Sequence, residues 1–138
     1  MEITDALEWA TNRRTAVLIT LRGDGRAQSS DIAYAVIGDQ IRISVTHDRA
    51  KTRNIRRDGR VVVHITDPPS WSYASIDAPA EVSPVAGAPD DEVVDELVEV
   101  YRAVAGDHDD WDEVRRAMVA DGRCVIRVTP RSVTGQIH

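Results

Sequence analysis

Apolar and polar positions alternate along much of the chain in short runs that read as β-strands. Ile41, Ile43 and Val45 are separated by Arg42, Ser44 and Thr46, a period of two that buries one face and leaves Ser44 and Thr46 together on the other. Thr15 to Leu21 and about Ala27 to Ile37 flank Gly23-Asp24-Gly25, a hairpin turn where Asp-Gly tolerates positive φ, so both flanks are predicted as strands. Gly38-Asp39 turns the chain into the Ile41 strand. Val61 to Ile65 is nearly continuous apolar sequence, and Trp71 to Val82, Arg123 to Val128 and Arg131 to Ile137 complete the predicted strands.

Other segments carry helical spacing. Thr4 to Arg14 is predicted as a short helix with Thr4 or Asp5 as N-cap and Leu7, Trp9 and Ala10 apolar. Asp48 reads as the N-cap of a second helix running to about Asp58 and closed by Gly59. Pro89-Asp90-Asp91-Glu92 is a strong helix start, with acids against the helix dipole. Its apolar stripe is Val93, Leu97, Val100, Tyr101 and Val104, and Gly106 stops it; Trp111 to Ala120 follows as a fourth helix. Strands come first, one helix separates the third strand from the fourth, and helices precede the last strands. That order is not a βαβ alternation. It predicts a mainly β (α+β) fold, an antiparallel barrel with helices packed outside, in one domain over residues 1–138.

Composition supports a strand-rich core: 18 Val and 11 Ile stand against 4 Leu and no Phe. With 42% apolar and 29% charged residues, the chain falls among ordinary globular proteins. No apolar run approaches the roughly 18 to 20 residues of a membrane span, and Met1 opens directly into a polar, helix-like segment. Neither a membrane partner nor a signal peptide is therefore expected, and the expected location is cytoplasmic. Cys124 stands alone, so no internal disulfide and no Cys-rich zinc site can form, and no metal site is predicted.

Charge is distributed unevenly in a chain of net −6. Arg49 to Arg60 carries six cations and one acid, whereas Asp90 to Asp121 carries 12 acids and three cations. Arg49 and Lys51, the only lysine, sit at a predicted helix N-terminus, where free N–H groups and the dipole already favour an anion. Arg adds a planar fork, Lys a point charge, and Thr52 and Asn54 neutral donors, a set suited to phosphate. A solvated helix face paired with the acidic helix accounts for the same block equally well. Nucleic acid is a poor partner, because the remaining surface is acidic and no basic stripe alternates with aromatics.

Other groupings are weaker. Gly23-x-Gly25 matches no dinucleotide fingerprint, since no helix follows it. Asp107-His108-Asp109-Asp110-Trp111-Asp112 lacks the glycine and the ligand spacing of a calcium loop and reads as a solvated connection. Ser29, Ser30 and His64 lack the nucleophile elbow of a hydrolase. Trp71 and Tyr73 follow Pro68-Pro69 at a strand start, where an aromatic can cover a flat ring, although core packing is the favoured reading on the residues alone.

Together the N-terminal helix, "LITLRGDGRAQSSDIAY", "IRISVT" and "HDRAKTRNIRRDGRVVVHI" resemble the split-barrel flavin-binding proteins related to pyridoxamine phosphate oxidase. "WSYASIDAPAEV" and the segment from "APDDEVVDELVEVYRAVAG" to "RCVIRVTP" are similar to the actinobacterial branch that uses the deazaflavin coenzyme F420. The similarity spans nearly the whole chain.

That resemblance implies a six-stranded FMN-binding type of split β-barrel with peripheral helices, forming a homodimer with one cofactor in each of two clefts between subunits. It implies that the cofactor phosphate lies on Arg49 and Lys51, with Thr52 and Asn54 beside them and Ser44 and Thr46 on the preceding strand. It places the ring system along Gln28 to Asp31, including Ser30, with Trp71 near it from the same or the partner subunit. Arg53, Arg56 and Arg57 would suit the anionic tail of F420, which FMN lacks, or remain solvated. The pyridoxamine-phosphate-oxidising branch ends in an Arg-x-His pair, absent from Arg131 to His138, so that activity is disfavoured. The implied function is hydride transfer between reduced F420 and a small unsaturated or conjugated substrate, with no side chain assigned as catalytic. An FMN-dependent oxidase and a non-enzymatic F420 carrier are the alternatives.

Overall fold

The structure, a computed structural model, describes residues 1–138. Its elements run α1 (Ile3–Thr11), β1 (Thr15–Leu21), β2 (Ala27–Ala33), β3 (Ala35–Ile37), β4 (Gln40–Thr46), α2 (Ala50–Arg57), β5 (Arg60–Asp67), β6 (Ser72–Val82), α3 (Glu92–Ala105), α4 (Trp111–Ala120), β7 (Arg123–Val128) and β8 (Ser132–Gln136). Every strand pair is antiparallel, in the order β2-β1-β5-β6-β7-β4-β3, with β8 added to β6, so the sheet has eight strands rather than the six that the resemblance implies.

The two ends of that order are consecutive in the chain. β2 pairs with β1 and β3 with β4, and Tyr34 alone separates them. The sheet therefore curls until its first and last strands meet, the split β-barrel that the sequence implies. The single strand expected over Ala27 to Ile37 is corrected here to two, broken at Tyr34. Its N–H donates to the Arg14 carbonyl at 3.0 Å and its hydroxyl to the Ala10 carbonyl at 2.7 Å, fixing the switch point against the end of α1. Burial pushes the Tyr34 phenol up to about 12.

Leu18, Ile41, Ile43, Val63, Ile65, Ile76 and Ile126 fill the barrel. Each such side chain contributes roughly 1.5 to 3 kcal/mol relative to exposure, so these branched residues carry the core without any Phe. A second apolar layer lies outside the barrel, where Val94, Leu97, Val98, Val114 and Met118 of α3 and α4 cover Val125 of β7. The Arg127 guanidinium grips Glu96 of α3 at 2.6 and 2.9 Å and ties that helix to the sheet.

Both hairpin helices start where expected. Asp91 accepts the Val94 N–H at 2.8 Å and Asp110 accepts that of Glu113 at 3.1 Å. The stripe differs in part: Val94, Leu97, Val98 and Val100 are buried, while Tyr101 and Val104 remain partly exposed at its edge.

Three other boundaries move. Glu2 precedes α1, so Thr4 and Asp5 lie inside the helix, and it ends at Thr11 rather than Arg14. Arg49, not Asp48, is the N-cap residue of α2. Asp48 lies beside the Thr46 hydroxyl, which holds its carboxyl below the usual carboxylate range. Gly59 does not stop α2 directly: a Cβ there would lie 2.7 Å from the Ala80 carbonyl oxygen, so its glycine serves a close strand crossing. Trp71 lies just before β6 rather than in it. No helix is long and apolar enough to cross a membrane.

Candidate functional site: a cleft at the open seam of the barrel

β3 pairs only with Gln40 to Arg42, so from Ile43 onward β4 has no partner on that side. β2 likewise pairs only with β1. The two free edges border a cleft of about 560 Å³ that takes Asp31, Ile32 and Ala33 from one edge and Ile43 and Ser44 from the other. Lys51 of α2 enters beside them, and the α3–α4 hairpin closes the far wall with Tyr101, Val104, His108, Val114 and Met118.

Arg49 and Lys51 both stand at the α2 start, Arg49 as the N-cap residue and Lys51 in the first turn. Arg49 is exposed at the N-cap, extended at φ −69° and ψ 148°, and its side chain caps nothing. The α2 dipole and its first amides thus keep their preference for an anion. Lys51 is half-buried. Burial and the neighbouring Arg49 hold its ammonium below the usual lysine range, with Asp31 pulling the other way. A cation already partly stripped of water, next to open helix amides, is the donor set a phosphate requires.

Ser44 and Thr46 do share the outer face of β4, as their alternation implies. Ser44 Oγ accepts from Arg123 at 3.3 Å, and Arg123 also approaches Asp121 at 3.5 Å. Thr52 and Asn54 are buried, and their polar atoms serve the fold. Thr52 Oγ1 donates to the Thr46 carbonyl at 2.9 Å, while Asn54 Nδ2 donates to Thr20 Oγ1 at 3.0 Å and to Gln28 Oε1 at 2.9 Å. They fix α2 against β1, β2 and β4, and so set the position of Lys51. Ser30, two residues from Gln28 on the same face of β2, has a buried hydroxyl with no partner. A buried unpaired hydroxyl is uncommon and marks a place where a ligand or water completes the bonding.

Trp71 does not line this cleft. It stands on the turn between β5 and β6, 81% exposed, at φ 55°, a left-handed conformation rarely held by non-glycine residues. Gln136 Nε2 donates to its carbonyl at 3.3 Å. Arg53, Arg56 and Arg57 donate to the carbonyls of Asp48, His47 and Leu21, and their charge stays at the surface. Sequence reasoning missed His108, Tyr101 and Arg123 as cleft residues. The register that sets Arg123 opposite Thr46 across β4 and β7 was the available signal for one of them; for His108 there was no local signal.

Solved structures with this architecture carry different chemistries. An F420 reductase is 24% identical, with a TM-score of 0.68 over 88% of this chain and 89% of that one. A conserved hypothetical protein from Mycobacterium tuberculosis is 22% identical, with a TM-score of 0.79 over 98% of this chain and 84% of that one. A heme storage protein from Vibrio cholerae is 15% identical, with a TM-score of 0.68 over 97% and 94%. These likenesses establish the fold alone. The sequence itself matches the pyridoxamine 5'-phosphate oxidase family over residues 3–137. That match covers nearly the whole split barrel, and the chain belongs to the pyridoxamine 5'-phosphate oxidase family.

Proposed function

We propose that the protein is a homodimeric oxidoreductase that holds coenzyme F420 at the seam and reduces a small conjugated acceptor. The observation that carries this reading is Lys51, half-buried on the wall of the cleft at an uncapped helix N-terminus. Arg49, Lys51 and the first amides of α2 would hold the cofactor phosphate, with Ser44 and Thr46 beside them. Gln28 and Ser30 would flank the ring, Trp71 would reach a ring only across the dimer because it does not line its own chain's cleft, and Thr52 and Asn54 would support the helix rather than touch the ligand. The bound deazaflavin supplies the hydride chemistry. The unpaired Ser30 hydroxyl and the cationic helix start fit such a group. The exposed charge of Arg53, Arg56 and Arg57 favours F420 over FMN, because only F420 brings a polyanionic tail. The homodimer is supported by the outer face of β1, β5, β6 and β8, where Val17, Ile19, Val62 and Tyr73 point outward.

Parallel titrations of the protein with F420, FMN and heme test the cofactor. F420 binding tightest, with turnover of reduced F420 on a panel of quinones and unsaturated lactones, is the expected outcome. Tighter FMN binding would replace this reading with a flavin oxidase, tighter heme binding with a heme protein, and tight F420 binding without turnover with a carrier. Sedimentation at micromolar protein is expected to give a dimer, and a monomer would overturn that part.

A further inference from the structure

The hairpin wall of the cleft does not resemble the phosphate wall. Tyr101, Val104, Val114 and Met118 are apolar and face the seam from α3 and α4. Tyr101 and Val104 belong to the helix stripe yet remain only partly covered, so they line a cavity rather than complete a core. Two polar side chains of the hairpin join them, Glu113 of α4 and His108. His108, with its side chain 27% exposed, lies between two rings: 5.9 Å and edge-on from Tyr101, and 6.0 Å from Trp111.

The loop that carries His108 is fixed at several points. Gly106 leaves α3 at φ 83°, and Arg102 sits 4.6 Å over the Trp111 ring. The Asp110 N–H donates to His108 Nδ1 at 2.9 Å, and Asp110 then caps α4. With Nδ1 used as an acceptor, the neutral imidazole carries its proton on Nε2. That N–H has no partner in the chain, on a ring that lines the cleft.

We propose that this wall is the binding site of the hydride acceptor, a neutral, planar, conjugated carbonyl compound whose carbonyl oxygen accepts from His108 Nε2–H. Tyr101 and Trp111 hold the imidazole in place, and Val104 and Met118 supply the apolar contact. Neutrality follows from the charges of this wall alone: Glu113 and, at the end of α4, Asp121 line it, and no cation of the hairpin does, so an anionic acceptor is disfavoured here and not at the Lys51 wall. The site's role in reduction rests on the F420 reading; its occupancy does not.

Menadione titrated into the protein without F420, read by tryptophan fluorescence, tests the pocket directly. Saturable quenching is expected in the wild type, and its loss in Trp111→Phe assigns it to this wall. His108→Leu is expected to weaken menadione binding about 5- to 10-fold, the equivalent of one net hydrogen bond of about 1 to 1.4 kcal/mol. His108→Gln, which keeps an N–H donor, is expected to recover most of that loss. Val104→Phe, with its melting temperature checked, is expected to block binding by filling the cavity. F420 titration of His108→Leu is expected to match the wild type. Menadione binding unchanged in His108→Leu or Val104→Phe overturns the proposal, as does an equal loss of F420 affinity in His108→Leu. A wild type that binds menadione in this His108-dependent way but binds no F420 retains the pocket and ends the cofactor reading.

Discussion

α2 and α3 begin in opposite ways. At the start of α3 the Asp91 carboxylate accepts the N–H groups of Val94, Gly87 and Ala88, and those bonds hold its carboxyl below the usual range. The helix then buries four apolar side chains against the barrel and hairpin. At the start of α2, Arg49 caps nothing, and the buried face is mainly polar, Thr52 and Asn54 with a single Ile55. α3 is terminated by its own sequence and anchored by apolar area. α2 is anchored by side-chain hydrogen bonds to three different strands, and its N-terminus remains able to take an anion. One helix is scaffold, and the other leaves bonding capacity unused. The difference separates mutations that should change stability from those that should change binding.

The largest effect is expected on the scaffold side. Leu97 is fully buried, and Leu97→Ala should destabilise the protein by about 2 to 5 kcal/mol through lost transfer energy and a residual cavity. Chemical denaturation measures this. At temperatures where the variant remains folded, F420 affinity should be close to that of the wild type, because Leu97 does not line the seam.

Next comes the binding side. Lys51→Ala should weaken F420 binding by roughly 10- to 150-fold, the loss of one charge-assisted bond of about 1.5 to 3 kcal/mol, with little change in melting temperature. The lysine also sets a pH signature. Its ammonium deprotonates below the usual lysine range, so phosphate affinity should fall on the alkaline side earlier than an ordinary lysine allows. Stability without ligand should move oppositely there, because the unfolded lysine retains its proton to higher pH and deprotonation relieves the desolvation present in the folded state. Lys51→Arg, charged throughout, should lose the alkaline fall in affinity. Calorimetric titration of F420 from neutral to alkaline pH decides it, and an unchanged Lys51→Ala affinity would remove the phosphate site from α2.

The same contrast explains which features were legible in the sequence. The starts of α3 and α4 were legible because Asp91 and Asp110 act on amides three residues away. The strands of the barrel were legible because period-two alternation is local, and Ser44 with Thr46 on one face follows from it directly. Arg49 and Lys51 could be placed at a helix start from the charge pattern. The break at Tyr34 was not legible, since it depends on β1 claiming one half of the run and β4 the other. Thr52 and Asn54 looked like ligand donors because their partners, Thr46, Thr20 and Gln28, lie six to 34 residues away in sequence. His108 looked like part of a solvated loop for the same reason: the strands that make it a cavity residue are far away in the chain.

A third substitution sharpens the contrast at the α3 end. Asp91→Ala removes the acceptor of three backbone amides and should cost about 1 to 2 kcal/mol, toward the upper end for an N-cap. Thermal unfolding should register it, and F420 affinity should not change. A matching loss of affinity would mean that the cap of α3 governs the hairpin wall and the phosphate wall of the cleft together.

The last substitution is the most diagnostic, because it converts the start of α2 into that of α3. Arg49 has the extended backbone of an N-cap, and Arg49→Ser places there a hydroxyl able to accept an amide from the first turn. The substitution should stabilise the protein by about 0.5 to 1 kcal/mol, since it satisfies a bond the wild type leaves open. It should also weaken F420 binding, by occupying an amide and deleting a cation beside Lys51. Removing that cation relieves one of the two influences that depress Lys51, so the alkaline fall in affinity should shift to higher pH. Stability and affinity are thus expected to move in opposite directions in one variant, an outcome that a purely solvated Arg49 cannot produce. If Arg49→Ser changes neither, the open N-terminus of α2 is not a binding device and the distinction between the two helices is one of packing only.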